Sequence, residues 1–538
     1  MENELSIILK NLKLGFIETE QDKIWMCSYN KNNYSCLLNY KFSEKNKVGF
    51  FDIFKSNFLS PKESFLGFVP SPTSSSKIRE YQTKEFSEIK QIHFDLYEKY
   101  KHLNSTITQT FSLFPKSNKS ILSNIPYSLK DLFCTESIKT TGGSSFYKNY
   151  IAQYSSTVYK ILQEKGGYLV GKDTCDEFGC GGSGMECSAI SNLPVVHYLA
   201  KNKVVPGSCS GSANKVATGE VLASIGVDTV DSIRLPSSVV GIVGYKPTYG
   251  LISRYGCFSF CNSLDTVGIM ASNVNDVGIF ANELIKYDEK DMTSQILDKD
   301  REMKNFLKER KINVGFIQFS EEEWLDKTTN KEFEEAKHIR NEYEKFINEN
   351  KNEFNFTKIV LPKYFNSNLL FQLYHVLCYS DFFSNRAKDT LINTIESHTF
   401  KGDYYEKVTK ERSENLSFDV KRKMVLGASF VNHGIDKIAF SIRDELVDYF
   451  LNLFSSFDCI IMPGSGDIAP DIDFKNRKYT RNGIDQYLKL GNFCGFCSIT
   501  IPFKNYQGLP FGLNINCKQF DDLNLLNIAL KFEEVLKK

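Results

Sequence analysis

Between residues 128 and 281, short apolar segments alternate with Gly/Ser-rich turns and helical stretches, and this alternation constrains the fold more than any other feature of the chain. Strand-like segments separated by helices favour one sheet with helices packed on it. The same texture returns at the end of the chain, where strands are predicted at 457–464 and 497–502 and an amphipathic helix at 523–536. We therefore predict an α/β protein.

The chain divides into a short extension and one large domain. Residues 1–82 hold scattered aromatic patches and end in a polar, linker-like stretch, so we predict an N-terminal extension of unclear structure there. Residues 83–538 are predicted to form one domain with a helical insertion around 300–420, because Lys/Glu-rich stretches with helical spacing occupy part of that region. With 41% hydrophobic residues in 538, the chain can bury a sizeable core.

Charge and hydropathy exclude several classes of protein. The net charge of +1 gives no global basic surface of the kind that holds nucleic acid by counterion release. No apolar run reaches about 18 residues, and the opening MENELSIILKNLKLGF is too acidic and too interrupted for a secretory signal. We therefore expect neither a membrane protein nor a secreted one. The 14 cysteines are scattered among apolar positions and are predicted to be mostly buried thiols.

A run of small residues, PGSCSGSANKVATG at 206–219, leads into a predicted helix. Backbone N–H groups of such a run can bind an anion, but the spacing of the Walker phosphate-binding motif is absent. The run also resembles a nucleophile elbow with Cys209 at its centre. Neither interpretation is decisive, and a nucleophile in this run would need a base.

The base is predicted to be a lysine. The chain has seven histidines, and none of them forms an HExxH or similar pair. Lys130 follows a short apolar segment, and burial of an amine beside small hydroxyl groups lowers its pKa toward neutrality. Taken alone, Lys130 fits a structural lysine at a strand end better than a catalytic one.

Five segments that occur in order carry a resemblance to a known family: SLKD at 128–131, GKDTCDEFG at 171–179, PGSCSGS at 206–212, and the stretches 228–250 and 253–271. Together they resemble the amidase signature family, which implies a large mixed β-sheet covered by helices on both faces. The resemblance covers roughly 83–538 and is patchy between about 280 and 410. KPTYGLISRYG and FDVKRKMVLGASF are most similar to the branch formed by the A subunits of glutamyl-tRNA(Gln) amidotransferases.

The resemblance implies a Ser-Ser-Lys proton relay. Lys130 matches the family's base, Ser232 the nucleophile, and Ser208 the bridging serine held by a cis peptide bond. In that relay the lysine takes a proton from the bridging serine, which takes one from the nucleophile, so that a weakly acidic hydroxyl can attack an amide carbon.

The resemblance also assigns an oxyanion hole to the backbone N–H groups of Thr229 to Ser232. Here the chain departs from the family, because Val230 and Asp231 replace two glycines. Side chains restrict φ, and a carboxylate beside a developing oxyanion is electrostatically unfavourable. We therefore expect either a loop that adapts or a reduced activity.

Substrate-binding residues follow from the same resemblance. Asp485 stands at the register of an acid that meets the α-ammonium group of glutamine, and Arg422 matches an arginine that pairs with the α-carboxylate. The alternatives are a solvated loop acid and a helix-surface arginine. The stretch after Ser384 and Asn385 lacks the family's Asp-Gly pattern, which puts glutamine recognition in doubt.

The family branch implies a division of labour within a multi-chain enzyme. This chain would hydrolyse glutamine with no cofactor of its own, and a B subunit, with a possible small C subunit, would bind ATP and Mg²⁺ and most of the Glu-tRNA(Gln). A stand-alone amidase and a catalytically weakened scaffold are the alternatives. No metal site is predicted, because Cys494 and Cys497 form an isolated CxxC, and the basic run Phe474–Gly483 fits a solvated loop better than an RNA contact.

Localisation is predicted from composition. Lys, Asn, Ile, Phe and Tyr are abundant, which is typical of an AT-rich genome. With the divergent N-terminal extension, this bias favours a plastid-type organelle or mitochondrion of a unicellular eukaryote. The bacterial cytoplasm is the alternative.

Overall fold

The structure is a computed structural model that describes residues 66–69, 76–113, 115, 120–184, 190, 193–297, 310–325, 330–387, 404–472 and 483–538. In this part of the chain the α-helices are α1 (Lys77–Tyr81), α2 (Phe86–Tyr100), α3 (Thr157–Glu164), α4 (Ser210–Thr218), α5 (Arg234–Val240), α6 (Val274–Leu284), α7 (Glu321–Leu325), α8 (Asn330–Glu349), α9 (Ser367–Arg386), α10 (Tyr404–Asn415), α11 (Phe418–Asn432), α12 (Ile435–Leu453), α13 (Leu490–Phe493) and α14 (Asp522–Lys537).

The strands all belong to one sheet. They are β1 (Thr106–Gln109), β2 (Pro126–Lys130), β3 (Tyr168–Asp173), β4 (Ala223–Asp228), β5 (Val243–Lys246), β6 (Thr266–Ala271), β7 (Ile312–Ile317), β8 (Phe354–Ile359), β9 (Cys459–Pro463), β10 (Cys497–Tyr506) and β11 (Leu509–Cys517). Among the described residues the sheet has 11 strands in the order β1-β3-β2-β4-β6-β5-β10-β11-β9-β7-β8.

The sheet is mixed. β2 pairs in parallel with β3 and β4, and β7 pairs in parallel with β8 and β9, whereas the other neighbours are antiparallel. Every residue of β2, β3, β4 and β6 is buried, so these strands are covered on both faces. The predicted α/β class and mixed sheet are confirmed, as are the two C-terminal strands and the closing helix α14.

The pairing of the central strands decides where polar side chains can meet. Because β2, β3 and β4 are parallel, their carboxyl ends lie at the same edge of the sheet. The last residues of these strands are Lys130, Asp173 and Asp228. β6 is antiparallel to β4 and starts at this edge, with Thr266 opposite Asp228. Four buried strand ends therefore converge here.

The domain boundaries predicted from the sequence remain predictions. Residues 1–65 and 70–75 of the proposed extension lie outside the described residues. The short described segment 66–69 packs on α6, where the backbone N–H of Phe68 donates to Asn282 Oδ1 at 3.0 Å. The described part of the region around 300–420 contains the strands β7 and β8 in addition to helices.

Two further sequence expectations concern the membrane and the cysteines. No helix in the described ranges has both the length and the apolar composition needed to cross a bilayer. The cysteines within these ranges are free thiols, and all but Cys257 are buried. Cys187 lies outside the described residues.

Candidate active site

Three hydroxyl and amine groups form a continuous hydrogen-bonded chain at the edge where the parallel strands end. Lys130 Nζ donates to Ser208 Oγ at 2.7 Å, and Ser208 Oγ donates to Ser232 Oγ at 2.9 Å. Lys130 and Ser208 are fully buried and Ser232 is 3% exposed. The peptide bond between Gly207 and Ser208 is cis. The structure thus brings together the three side chains that the resemblance identifies.

Each of the three hydrogen-bonded residues lies at or next to the end of a strand or helix. Lys130 is the last residue of β2, Ser208 precedes the start of α4, and Ser232 lies in the turn between β4 and α5. Gly179 closes one side of the site with φ +71, and a Cβ added there would lie 3.5 Å from Lys130 Nζ. A glycine at 179 therefore suits both the left-handed backbone and the space beside the amine.

Two thiols decide the pKa of Lys130. Burial lowers this pKa, the negative charges of Cys209, Cys175 and Asp176 raise it, and the net shift is upward. Burial also raises the pKa of both thiols, so they are uncharged at neutral pH and their attraction for the ammonium is lost. Burial then favours the neutral amine that can accept a proton, and the negative charge of Asp176 opposes it.

A buried carboxylate beneath the site joins the strands that carry it. Asp173 Oδ2 accepts hydrogen bonds from three serine hydroxyls at 2.7 to 2.8 Å, and its Oδ1 lies 3.2 Å from Lys215 Nζ. The serines belong to β2, α4 and β4: they are Ser128, Ser212 and Ser224. Asp173 thus fixes the relative positions of the elements that present Lys130 and Ser208.

Arg234 fastens the turn that carries Ser232. Its guanidinium is fully buried, pairs with Asp228 at 3.1 Å, and donates to Val230 O and Asn492 Oδ1 at 2.6 Å each. Burial raises the pKa of Asp228, but the charge and hydrogen bonds of Arg234 outweigh it and hold that pKa below its usual value. The turn is therefore held at both ends by one charged pair.

The predicted oxyanion hole has an unstrained backbone. Neither Val230 nor Asp231 lies in the left-handed region, so the turn adopts a conformation that does not require glycine. Val230 O accepts from Arg234, and Asp231 O accepts from the backbone N–H of Leu235 at 2.9 Å. Because C=O and N–H point in opposite directions across a trans peptide, the N–H groups of Asp231 and Ser232 face away from these donors. These two N–H groups therefore point out of the turn, on the side opposite to Arg234 and Leu235.

The predicted substrate-binding residues are both largely buried. Asp485 is 1% exposed, and its Oδ1 accepts from the backbone N–H of Gly466 at 2.7 Å, so it is not a solvated loop acid. Arg422 on α11 has a side chain that is 18% exposed and pairs with Asp419 of the same helix. Asp419 also pairs with Lys423, whose Nζ donates to Cys180 O at 2.6 Å.

Several charged residues near the site were not predicted from the sequence. Lys489, 2% exposed, lies with its Nζ 3.8 Å from Asp231 Oδ2. Burial and then the positive charges of Arg422, Lys423 and Lys489 hold the pKa of His375 well below its usual value. Lys489 carries no local signal, because its partner Asp231 comes from a distant part of the chain.

Other sequence features have structural explanations. Asn385 binds the 259–262 turn, donating to Phe260 O at 3.3 Å, and residues 388–403, which follow the described end of α9, lie outside the described ranges. Cys497 Sγ donates to Lys518 O at 3.2 Å. No cluster of three or more metal-ligating side chains occurs in the described part of the chain. Of the basic run Phe474–Gly483, only Gly483 is described.

Comparisons with known proteins identify relatives of this chain over most of its length. The profile of the Amidase family matches residues 88–526. The A subunit of glutamyl-tRNA(Gln) amidotransferase from Mycoplasma genitalium is 36% identical over 457 residues, which cover 81% of this chain and 92% of that protein. The protein of the same name from Pelagibacter ubique is 32% identical over 498 residues and covers 87% of this chain and 97% of its own length.

Solved structures show the same fold. The crystal structure of the A subunit of glutamyl-tRNA(Gln) amidotransferase from Thermotoga maritima superposes with a TM-score of 0.68 at 25% identity, covering 85% of this chain and 94% of that one. A crystal structure described as an amidase superposes with a TM-score of 0.66 at 18% identity, covering 86% of this chain and 98% of that one. The second likeness concerns the fold alone.

Proposed function

The chain belongs to the amidase family, and we propose that it is the glutamine-hydrolysing component of a glutamyl-tRNA(Gln) amidotransferase, in which it releases ammonia for the conversion of Glu-tRNA(Gln) to Gln-tRNA(Gln). The observation that carries the proposal is the unbroken hydrogen-bonded chain from Lys130 through Ser208 to Ser232. The relatives that bear this enzyme's name match over most of their own length, and they support the choice of substrate.

The first half of the reaction forms an ester. Neutral Lys130 accepts the proton of Ser208, which accepts the proton of Ser232, and Ser232 Oγ attacks the side-chain amide carbon of glutamine. Negative charge develops on the former carbonyl oxygen, where the N–H groups of Asp231 and Ser232 can donate to it. As the intermediate collapses, the proton returns from Lys130 through Ser208 to the leaving nitrogen, and ammonia departs.

The second half of the reaction regenerates the enzyme. A water molecule takes the place of ammonia and loses a proton through Ser208 to Lys130 as it attacks the γ-glutamyl ester. The ester bond to Ser232 breaks, Ser232 Oγ regains a proton from the relay, and glutamate leaves. The net reaction is glutamine plus water giving glutamate plus ammonia.

Glutamine recognition is assigned to two residues. We propose that Asp485 binds the α-ammonium group and that Arg422 binds the α-carboxylate, a pairing that suits a planar guanidinium. The burial of Asp485 supports an unsolvated ionic contact. Arg422 would exchange part of its contact with Asp419 for the substrate.

The remaining functions belong to other chains of the complex in this proposal. A B subunit, with a possible small C subunit, would bind most of the tRNA and hold ATP and Mg²⁺ for activation of the glutamyl group, which makes the whole complex a ligase. The net charge of +1 fits a chain that leaves most tRNA contacts to its partner.

Two alternatives make different predictions. A stand-alone amidase would need no partner, and the names of the relatives, which are components of a larger enzyme, argue against it. A catalytically weakened scaffold was suggested by Val230 and Asp231, and the ordinary backbone at both residues argues against it.

We also propose, from the composition and the divergent N-terminal extension, that the chain works in a plastid-type organelle or mitochondrion of a unicellular eukaryote, with the bacterial cytoplasm as the alternative. The relatives reported above are bacterial. Detection of the chain in fractionated cells of its source organism distinguishes the two.

Ammonia release from glutamine tests the proposed function. The purified chain is assayed alone, with a B subunit, and with a B subunit, ATP and Glu-tRNA(Gln). We expect release to rise when the partner and the charged tRNA are present, and to disappear in Ser232→Ala. Equal release without any partner would favour the stand-alone amidase, and no release under any condition would favour the scaffold.

A further inference from the structure

A carboxylate lies next to the nucleophile, and one lysine from a distant element pairs with it. Asp231 directly precedes Ser232 and is 1% exposed. Its Oδ2 lies 3.8 Å from Nζ of Lys489, which is 2% exposed. Both charges are therefore removed from solvent at the predicted oxyanion hole.

A buried carboxylate at this position slows catalysis unless a positive charge neutralises it. Negative charge develops on the substrate oxygen during attack, and a second negative charge nearby opposes it more strongly in a dry site than in water. Removing one partner of a buried ion pair also leaves an uncompensated charge, which is strongly destabilising. Lys489 supplies the opposite charge in both respects.

Lys489 is held in place from several directions. It ends the 3-10 helix Gly483–Lys489, and its Nζ lies 5.3 Å from the centre of the Tyr374 ring on α9. The preceding carbonyl, Leu488 O, accepts a hydrogen bond from Arg234 at 2.7 Å. The backbone beside Lys489 is thus tied to the same turn that its side chain reaches.

We propose that Lys489 is a positioning residue for amide hydrolysis: its ammonium neutralises Asp231 and holds the turn so that the N–H groups of Asp231 and Ser232 remain directed at the substrate oxygen. This inference rests on the proposed function for the identity of the substrate. It predicts that charge, and not the shape of the side chain, is what matters at position 489.

A cycle of four proteins tests the proposal: the unchanged chain, Lys489→Met, Asp231→Asn, and the double variant. Ammonia release from glutamine is measured in the complex with the B subunit. The labelling rate of Ser232 by a fluorophosphonate is measured separately, because this reaction uses the nucleophile and oxyanion hole without glutamine. Lys504→Met, at an exposed position on β10, is the matched control and should react at the unchanged rate.

The proposal predicts an asymmetric result. Lys489→Met should lower kcat and the labelling rate by on the order of 10²-fold, the size of the loss of one oxyanion contact, with little change in KM. Asp231→Asn should cost less, because the ammonium that remains has the favourable sign for an oxyanion. The double variant should recover most of the activity that Lys489→Met loses, since no unpaired carboxylate remains.

Two results would overturn the proposal: Lys489→Met reacting at the unchanged rate, or losses in the double variant that simply add. If Lys489→Met does not fold, Lys489→Arg and the neutral double variant make the same comparison. A chain that labels at Ser232 but releases no ammonia from glutamine refutes the proposed function, and the labelling arm still decides the role of Lys489.

Discussion

Replacement of Arg234 by methionine tests how the nucleophile turn is held. The substitution keeps an unbranched side chain that matches the aliphatic part of arginine, but it removes the hydrogen bonds to Asp228, Val230 O and Asn492. Asp228 would retain the backbone N–H groups of Ile233, at 3.0 Å, and of residue 234, at 3.4 Å, and would lose its ion-pair partner in a fully buried position. Breaking a buried pair in this way costs about 3–5 kcal/mol, a large part of the 5–15 kcal/mol that stabilises a typical protein.

The free energy of unfolding of Arg234→Met is measured by urea denaturation, followed by fluorescence and by circular dichroism. The control is the double variant Asp228→Asn with Arg234→Met, which has no buried charge and should recover much of the lost stability. An Arg234→Met protein as stable as the unchanged chain would refute the reasoning. So would a double variant that is no more stable than the single one.

Two further predictions concern the surroundings of the relay. Burial raises the pKa of Glu177 from 4.5 to about 6, so the folded state binds this proton more tightly than the unfolded state does. The free energy of unfolding should therefore fall by about 2 kcal/mol as the pH rises from 4.5 to 6. Thermal unfolding of Glu177→Gln should lack this dependence on pH, and an unchanged dependence would show that another group causes it. Gly179→Ala should slow fluorophosphonate labelling of Ser232, because φ +71 is strained for alanine and its Cβ would lie 3.1 Å from Leu132. Labelling at the unchanged rate would contradict this.

The fold and the three residues of the proton relay could largely be predicted from the sequence, because short local segments indicate them. Alternating apolar segments predicted an α/β protein, and the family resemblance carried by short ordered motifs implied the mixed sheet and indicated Lys130, Ser208 and Ser232. The parallel pairing of β2, β3 and β4 then explains how three residues from separate motifs lie within hydrogen-bond distance.

The residues around the site could not be predicted from the sequence, because their positions depend on ion pairs and hydrogen bonds between distant segments. Asp231 in isolation predicted a harmful charge, and its partner Lys489 lies in another element. Asp485 could equally be a solvated loop acid until the 3-10 helix Gly483–Lys489 was seen to be buried. Asp173 collects hydroxyls from three elements, which no single stretch of sequence indicates.

The most direct test of the relay is the site and rate of covalent modification by a fluorophosphonate, read by intact mass and peptide mapping. We predict one adduct, on Ser232, with labelling that slows by about 10²-fold or more in Lys130→Met and in Ser208→Ala, as expected when a general base or its bridge is lost. Modification of Cys209 or another residue would contradict the account. Labelling of Ser232 at an undiminished rate without Lys130 would contradict it as well.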